Sequence, residues 1–416
     1  MSEGGKSWGF HGDEIPKVTP VNKDGESRDD IIIEFQDIIE LKLYENITQP
    51  VVMGELRVND RGKFRIGNIM KEGYDYFKIE MKSNRSEGGT YDLMFEIVNI
   101  SGYPSGHMIG GAYSVNTYYL VQFPAYRNLL VWNVSRGYNN KVISGVVEDI
   151  FETFLNTEGG YQQEIEDTDG ELESFCIPFW NPYKTLQYLK DYAYTEEDKA
   201  GFHYWFDMKD QFHFKSLSSI FNDGDLHDIE LRDIITTSIE DAQDDTEKGV
   251  KDYHPEFLRK DEYNHGLAGA TSERFNWFKK KHYTLKRGYK ERPIPRGPNI
   301  IYEKPEYINN MFGYHMATGY RWKDYTGFCN ALVYNKMLNS IARQSQTNVT
   351  ISGIIEGDKM KAGDKIKIKN MVQGVNENVE ELDGMWFVYG VNHRWFTKGL
   401  TYTQKLALCR SGSFEH

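Results

Sequence analysis

Cysteine is scarce in this chain: three in 416 residues, Cys176, Cys329 and Cys409, widely spaced and without a C-x-x-C pair. That excludes a disulfide-stapled scaffold and argues against a thiolate zinc site, so the three read as buried free thiols. Long hydrophobic runs are missing too. No apolar stretch approaches the roughly 20 residues of a spanning helix, and the start, MSEGGKSWGFHGDEIPKV, has neither the basic opening nor the apolar run of a signal peptide. The expectation is a folded protein made or assembled in a cytosol, without membrane insertion. Positive charge is short as well: 49 Lys and Arg against 62 Asp and Glu leave a net charge of −13. Gripping phosphates needs clustered cations that displace counterions, so tight nucleic-acid binding is not expected.

Signatures of catalysis are also absent. The chain has no G-x-S-x-G, H-E-x-x-H, G-x-G-x-x-G or P-loop, and nothing that calls for a cofactor. The acidic stretch EIEDTDGELE fails as a calcium loop, because the sixth position counted from Asp167 is Leu172 where an EF-hand needs Gly. It reads as a solvated acidic loop, as does EDAQDD around Asp241. No metal site is expected. Paired glycosidase carboxylates leave no motif, so a cell-wall hydrolase stays open as an alternative. With 28 Tyr and 8 Trp, so does a β-rich carbohydrate-binding adhesion module, although most aromatics alternate within strands and look like core.

What the chain does have is β-patterned sequence at both ends and helical patterning between. From Ile31 the runs IIIEF, IELKLYENI, PVVMGELRVND, YDYFKIEMKS, TYDLMFEIVNI and NTYYLVQFP are short, β-rich and bounded by Gly, Asn, Asp and Ser. They predict an antiparallel sandwich or barrel. SGVVEDIFETFL then places Val146, Val147, Ile150, Phe151, Phe154 and Leu155 on one helical stripe with Ser144 as cap, and NPYKTLQYLKDYA opens with Asn181 as cap and Pro182 at the first helical position. GFHYWFDMKDQFHF reads as a hairpin whose Phe202, Tyr204, Phe206, Phe212 and Phe214 share one face, leaving His203 and His213 on an exposed one. A third helix is expected over Asn330–Gln344.

The closing stretch MWFVYGVNHRWFTKGLTYTQKLALCR predicts a hairpin turning at Lys398 and Gly399. That register sets Trp395 opposite Tyr402, His393 opposite Gln404, Val391 opposite Leu406 and Tyr389 opposite Leu408. One face is then apolar except for an imidazole beside an amide, a pair that satisfies itself, with no carboxylate or thiol alongside. His393 therefore reads as structural rather than as a ligand or base.

The order helix, strand NVTISGII, turn KAGDKIKIKN with Gly363 and Asp364, and hairpin with Val388, Val391, His393, Tyr402, Thr403, Leu406 and Leu408 resembles the C-terminal part of baseplate hub proteins of contractile-tailed phages. It is also similar to the hub half of type VI secretion spike proteins. The resemblance implies a mainly β fold with an α+β middle domain: two tail-tube-like antiparallel β-barrels plus a helix-containing domain. It assigns 1–27 to a flexible arm, 28–125 to the first barrel, 126–220 and 261–345 to the middle domain, and 221–260 with 346–412 to the second barrel. It further implies a non-enzymatic homotrimer, pseudo-sixfold because each chain carries two barrels, that joins a tail-tube protein to a central spike protein. Baseplate wedge proteins are further partners, and the place is the phage virion, with assembly in the host cytoplasm.

Overall fold

The computed structural model describes residues 16–27, 33, 35–60, 75–81, 91–105, 113–157, 159–172, 174–195, 201–231, 249–257, 270–276, 281–287, 311–316, 345–352, 360–370, 384–396 and 401–410. The expected helix over Asn330–Gln344 lies outside them. The N-terminal strands are β1 (Lys17–Val21), β2 (Ile38–Asn46), β3 (Met53–Asp60), β4 (Tyr76–Met81), β5 (Tyr91–Ser105) and β6 (Tyr113–Gln122). They pair in the order β1-β4-β5-β6-β3-β2, all antiparallel. Alternation does the work: Leu41 and Leu43 on β2, Leu56 and Val58 on β3, Phe77 and Ile79 on β4, and Leu93, Phe95 and Ile97 on β5 point to one buried core. Each such side chain removed from water stabilises the fold by about 1.5–3 kcal/mol.

The expected flexible arm is corrected here. Its residues Lys17–Val21 form β1, paired along its length with β4, and Val18 and Val21 are buried. Pro20 hid the strand, since Pro reads as a breaker, but β1 is at the end of the strand order, where one side needs no ladder bond.

A helical module follows, with α1 (Ala125–Val131), α2 (Ile143–Ile150, continuing as a π-helical turn over Phe151–Leu155), α3 (Pro182–Tyr192) and α4 (Leu217–Asp223). Its strands are β7 (Val134–Tyr138), β8 (Lys141–Val142), β9 (Gln162–Ile165), β10 (Glu171–Leu172), β11 (Phe175–Trp180), β12 (His203–Phe206) and β13 (Gln211–Lys215). Asn181 caps α3 as expected, accepting from the Lys184 N–H at 2.9 Å with Pro182 at the first helical position. The cap of α2 differs. Val142 stands at the N-cap without a side-chain bond, and the Ser144 N–H instead donates to Thr168 Oγ1 at 2.8 Å, a partner 24 residues away that local sequence does not reveal. The five aromatic residues of the β12–β13 hairpin share the module's core with Ile150, Phe151 and Leu186.

The C-terminal strands are β14 (Leu226–Leu231), β15 (Gly249–Phe257), β16 (Ala270–Asn276), β17 (Lys281–Arg287), β18 (Met311–Met316), β19 (Ser345–Ser352), β20 (Lys365–Asn370), β21 (Gly384–Phe396) and β22 (Thr401–Arg410). Among the described residues β16–β18 pair only with one another. The remaining six pair in a cycle, β21-β20-β14-β15-β19-β22 and back to β21. This half departs from the antiparallel expectation, because β14 runs parallel to both β20 and β15. Among the described residues neither half is a fully laddered closed barrel. Within them the C-terminal cycle is joined at β14–β15 by the single pair Glu230↔Gly249, and β1 meets the stretch before β2 through the isolated bridges Val18↔Ile33 and Val21↔Ser27. The fold is mainly β with a helical element.

Candidate functional site: the seam between the two half-sheets

Strands β2 and β21 pair antiparallel from Glu40↔Phe396 to Asn46↔Gly390, so the two halves form one continuous twelve-stranded sheet. The register puts Leu41 beside Trp395 and Leu43 beside His393 on one face, and Trp395 packs into the N-terminal core rather than the C-terminal one. On the opposite face Glu40 is almost wholly covered by cations: Arg394 donates to it at 2.8 Å, and Lys42 and Arg57 approach to 3.4 and 3.5 Å. Burial opposes its charge, but the Arg394 and Lys42 bonds hold its pKa below the usual carboxylate range.

Within the β21–β22 hairpin the expected register holds from Trp395↔Tyr402 through His393↔Gln404 to Val391↔Leu406. It then shifts. A bulge between Val388 and Gly390 brings Val388, not Tyr389, opposite Leu408, so the expected Tyr389–Leu408 pair does not form. Val388, Val391, Leu406 and Leu408 are buried in the C-terminal core, while Tyr389 packs on a separate cluster with Trp205, Leu217, Ile220 and Phe387. Gly390 follows the bulge because a Cβ there would meet Asn46 Nδ2 at 2.8 Å.

Gln404 is fully buried and clamps the Met360 backbone twice, accepting from its N–H at 3.2 Å and donating to its C=O at 3.0 Å. Those two bonds orient the amide, so its Nε2 also faces His393 Nδ1 at 3.4 Å and the imidazole nitrogen is the acceptor. The clamp holds the approach to the turn at Gly363, whose φ of 104° belongs to glycine, and Asp364. The Asp364 carboxylate accepts from the Lys361 and Asp225 N–H groups at 2.8 and 3.2 Å and pairs with His227 Nε2 at 3.1 Å. It thereby ties the end of α4 and the start of β14 to the turn that opens β20.

The helical module meets this seam through the β12–β13 turn. Gln122 at the end of β6 accepts from the Val52 N–H and donates to the Asp207 carbonyl and the Asp210 carboxylate. The face of the hairpin expected to be exposed is buried: His203 and Trp205 are each 4% exposed. His213 stacks on Trp205 and sits between Glu164 at 3.0 Å and Asp207 at 3.2 Å. The acidic loop after Leu155 is likewise structured. It contains β9, parallel to β13, and Glu166 accepts from the Ser216 N–H and the Ser216 and Ser219 hydroxyls at the N-terminus of α4.

Buried carboxylates therefore line the meeting point of all three regions. Glu45 on β2 is 3% exposed, and burial, with the Asp207 and Asp364 charges nearby, pushes its pKa up to about 8 against the pull of the Ala362 N–H. Burial pushes Asp210 up to about 6. Burial also opposes the charge of Asp207, but bonds from His213 and the Gln211 and Lys209 N–H groups hold it below its ordinary value. Glu45 continues the inward face of Leu41 and Leu43 along β2 and lies opposite Val391. Among the described residues no group of three or more His, Cys, Asp or Glu side chains is placed to hold a metal ion. Cys409 is buried, but Cys176 is exposed, contrary to expectation, and Cys329 lies outside the described residues.

No family model matches the chain, and no curated protein matches it. Solved structures do. A tail protein from Neisseria meningitidis MC58 aligns over 96% of this chain and 98% of its own, with TM-score 0.56 and 9% identity. The 43 kDa tail protein of prophage MuSo2 from Shewanella oneidensis aligns over 95% of this chain and 98% of its own, with TM-score 0.54 and 8% identity. At such identities the likeness is one of fold, and it extends over nearly the whole of each chain: this protein has the fold of phage tail proteins.

Proposed function

We propose that the chain is a structural hub of a contractile-tail baseplate, a homotrimer whose six half-sheets form a pseudo-sixfold ring between a tail-tube protein and a central spike protein. The observation that supports it most is the continuous sheet. Two six-stranded halves, each with its own apolar core, are fused side by side through β2 and β21 within a tail-protein fold. Repeating a chain of two similar units three times gives six units, the arithmetic needed to match a sixfold tube to a threefold spike. The role is geometric and non-enzymatic. The buried carboxylates serve cohesion between regions, and Gly363, Asp364, His393 and Gln404 serve as the brace of the C-terminal half. Wedge proteins are further partners, and the place of action is the virion tail, with assembly in the host cytoplasm and no tight hold on DNA.

Solution mass tests this reading. Light scattering of the purified protein, alone and with its spike, is expected to give about 145 kDa for the hub component, three times the 48.4 kDa chain. A strictly monomeric species in both preparations at high concentration contradicts it.

A further inference from the structure

A trough of about 420 Å³ lies over the seam, on the face of the sheet that carries Tyr44 and Asn392. Its floor is low because two neighbouring positions across β21 and β22, Gly390 and Ala407, carry little or no side chain, with Asn46 and Asn348 at the ends of that row. Four strands are crossed from β2 to β19, a span of about 14 Å at the usual strand spacing. We infer that this trough binds an extended acidic peptide segment of a partner protein.

Three observations carry the inference. First, hydrogen-bonding groups there are uncommitted: among the described residues the side chains of Tyr44, Gln49 and Asn348 make no hydrogen bond. Amide side chains both donate and accept, which is what a peptide group presents. Second, β2, β21, β22 and β19 are each paired on both sides, so a ligand cannot be added as another strand and must be read by side chains from above. Third, the charge has the opposite sign to the chain as a whole. On this face of β3, β2, β21 and β22 the described charged side chains are Lys42, Arg57, Arg394 and Lys405 against Glu40 and Glu55. The two glutamates are engaged by Lys42, Arg57 and Arg394, which leaves Lys405, in the trough, without an ion pair among the described residues. A cation and amides that are without partners among the described residues select an extended chain bearing carboxylates.

The test is binding of a labelled alternating glutamate–glycine octapeptide to the full-length protein, followed by fluorescence anisotropy at low and moderate salt. A lysine–glycine octapeptide and neutral chitotetraose serve as controls. Saturable binding at or below about 1 mM is expected for the acidic peptide alone, weakened about tenfold or more by Lys405→Glu and removed by Ala407→Tyr, which fills the floor. Melting curves report whether each variant folds; Lys405→Glu decides the matter if Ala407→Tyr does not. Absence of saturable binding, equal binding of both peptides, or affinity unchanged by Lys405→Glu overturns the proposal. Binding of chitotetraose without the peptide overturns it in favour of a glycan site.

Discussion

The two halves of the sheet contain the same number of strands but are built differently. The N-terminal half takes its strands from one contiguous stretch and pairs them all antiparallel. The C-terminal half gathers strands separated by more than a hundred residues and needs parallel pairing at β14 to do so. Its polar braces compensate. The Gln404 clamp and the Asp364 turn hold it together, as the fully buried Gln122, bonded to the Val52 N–H and the Asp207 carbonyl, holds the N-terminal half to the helical module. Non-local strands pay their ordering entropy before contacts reward them, so a half assembled this way depends on specific long-range bonds.

The sharpest way to break the comparison is to bury a charge in one half. Leu406→Asp is expected to destabilise the protein by about 4 kcal/mol or more, and Leu41→Asp by a similar amount. Because β2 and β21 share a ladder, thermal melts followed by proteolysis should show each substitution exposing both halves. Loss of one half alone would show that the seam transmits little.

Glu45, where the halves meet the helical module, gives the next largest effect. Its carboxyl in the unfolded chain titrates near the ordinary 4.5, and in the fold near about 8. Below 4.5 both states hold the proton and pH has no effect through this group. Between 4.5 and 8 the unfolded state releases it while the folded state keeps it, so stability falls as pH rises, and levels off above 8. At ~1.4 kcal/mol per unit the fall is up to about 5 kcal/mol. Asp210 adds a smaller fall of the same sign between 3.8 and about 6. Glu45→Gln is expected to flatten the decline measured by denaturant titration from pH 5 to 9; an unchanged slope would place the origin elsewhere.

Smaller effects separate the brace from its neighbour. Gln404→Leu orphans the Met360 N–H and C=O and is expected to cost about 1–3 kcal/mol. His393→Gln, which loses the 3.4 Å contact to Gln404 and the stacking on Trp395, is expected to fold normally and cost less than the Gln404 variant. Chemical denaturation of the two variants side by side checks the order, which is reversed if His393 is the true keystone.

Much of this was legible wherever the determinants are local. Alternation marked β2 to β6, Asn181 and Pro182 marked the start of α3, and the turn expected at Lys398 and Gly399, itself outside the described residues, gave the β21–β22 register as far as Val391. What escaped depends on distant partners. The bulge at Tyr389 answers to Asn46 across the seam, the cap of α2 comes from Thr168, and Trp205 is covered by the C-terminal half and α4 rather than by solvent. Parallel pairs such as β9 with β13 and β14 with β20 leave no periodic trace, because their register is set by the elements between. Alternation after Leu41 and Leu43 puts Glu45 on the inward face, but only the neighbouring Asp207 and Asp364, distant in sequence, raise its pKa further.

The measurement that bears most directly on a hub with two tube-like units per chain is rotational analysis of end-on electron-microscopy averages of the assembled particle, with the chain count taken from its mass. Three chains showing six evenly spaced densities about a threefold axis is the predicted result. Six chains in the ring, or three chains with only three densities, would contradict it.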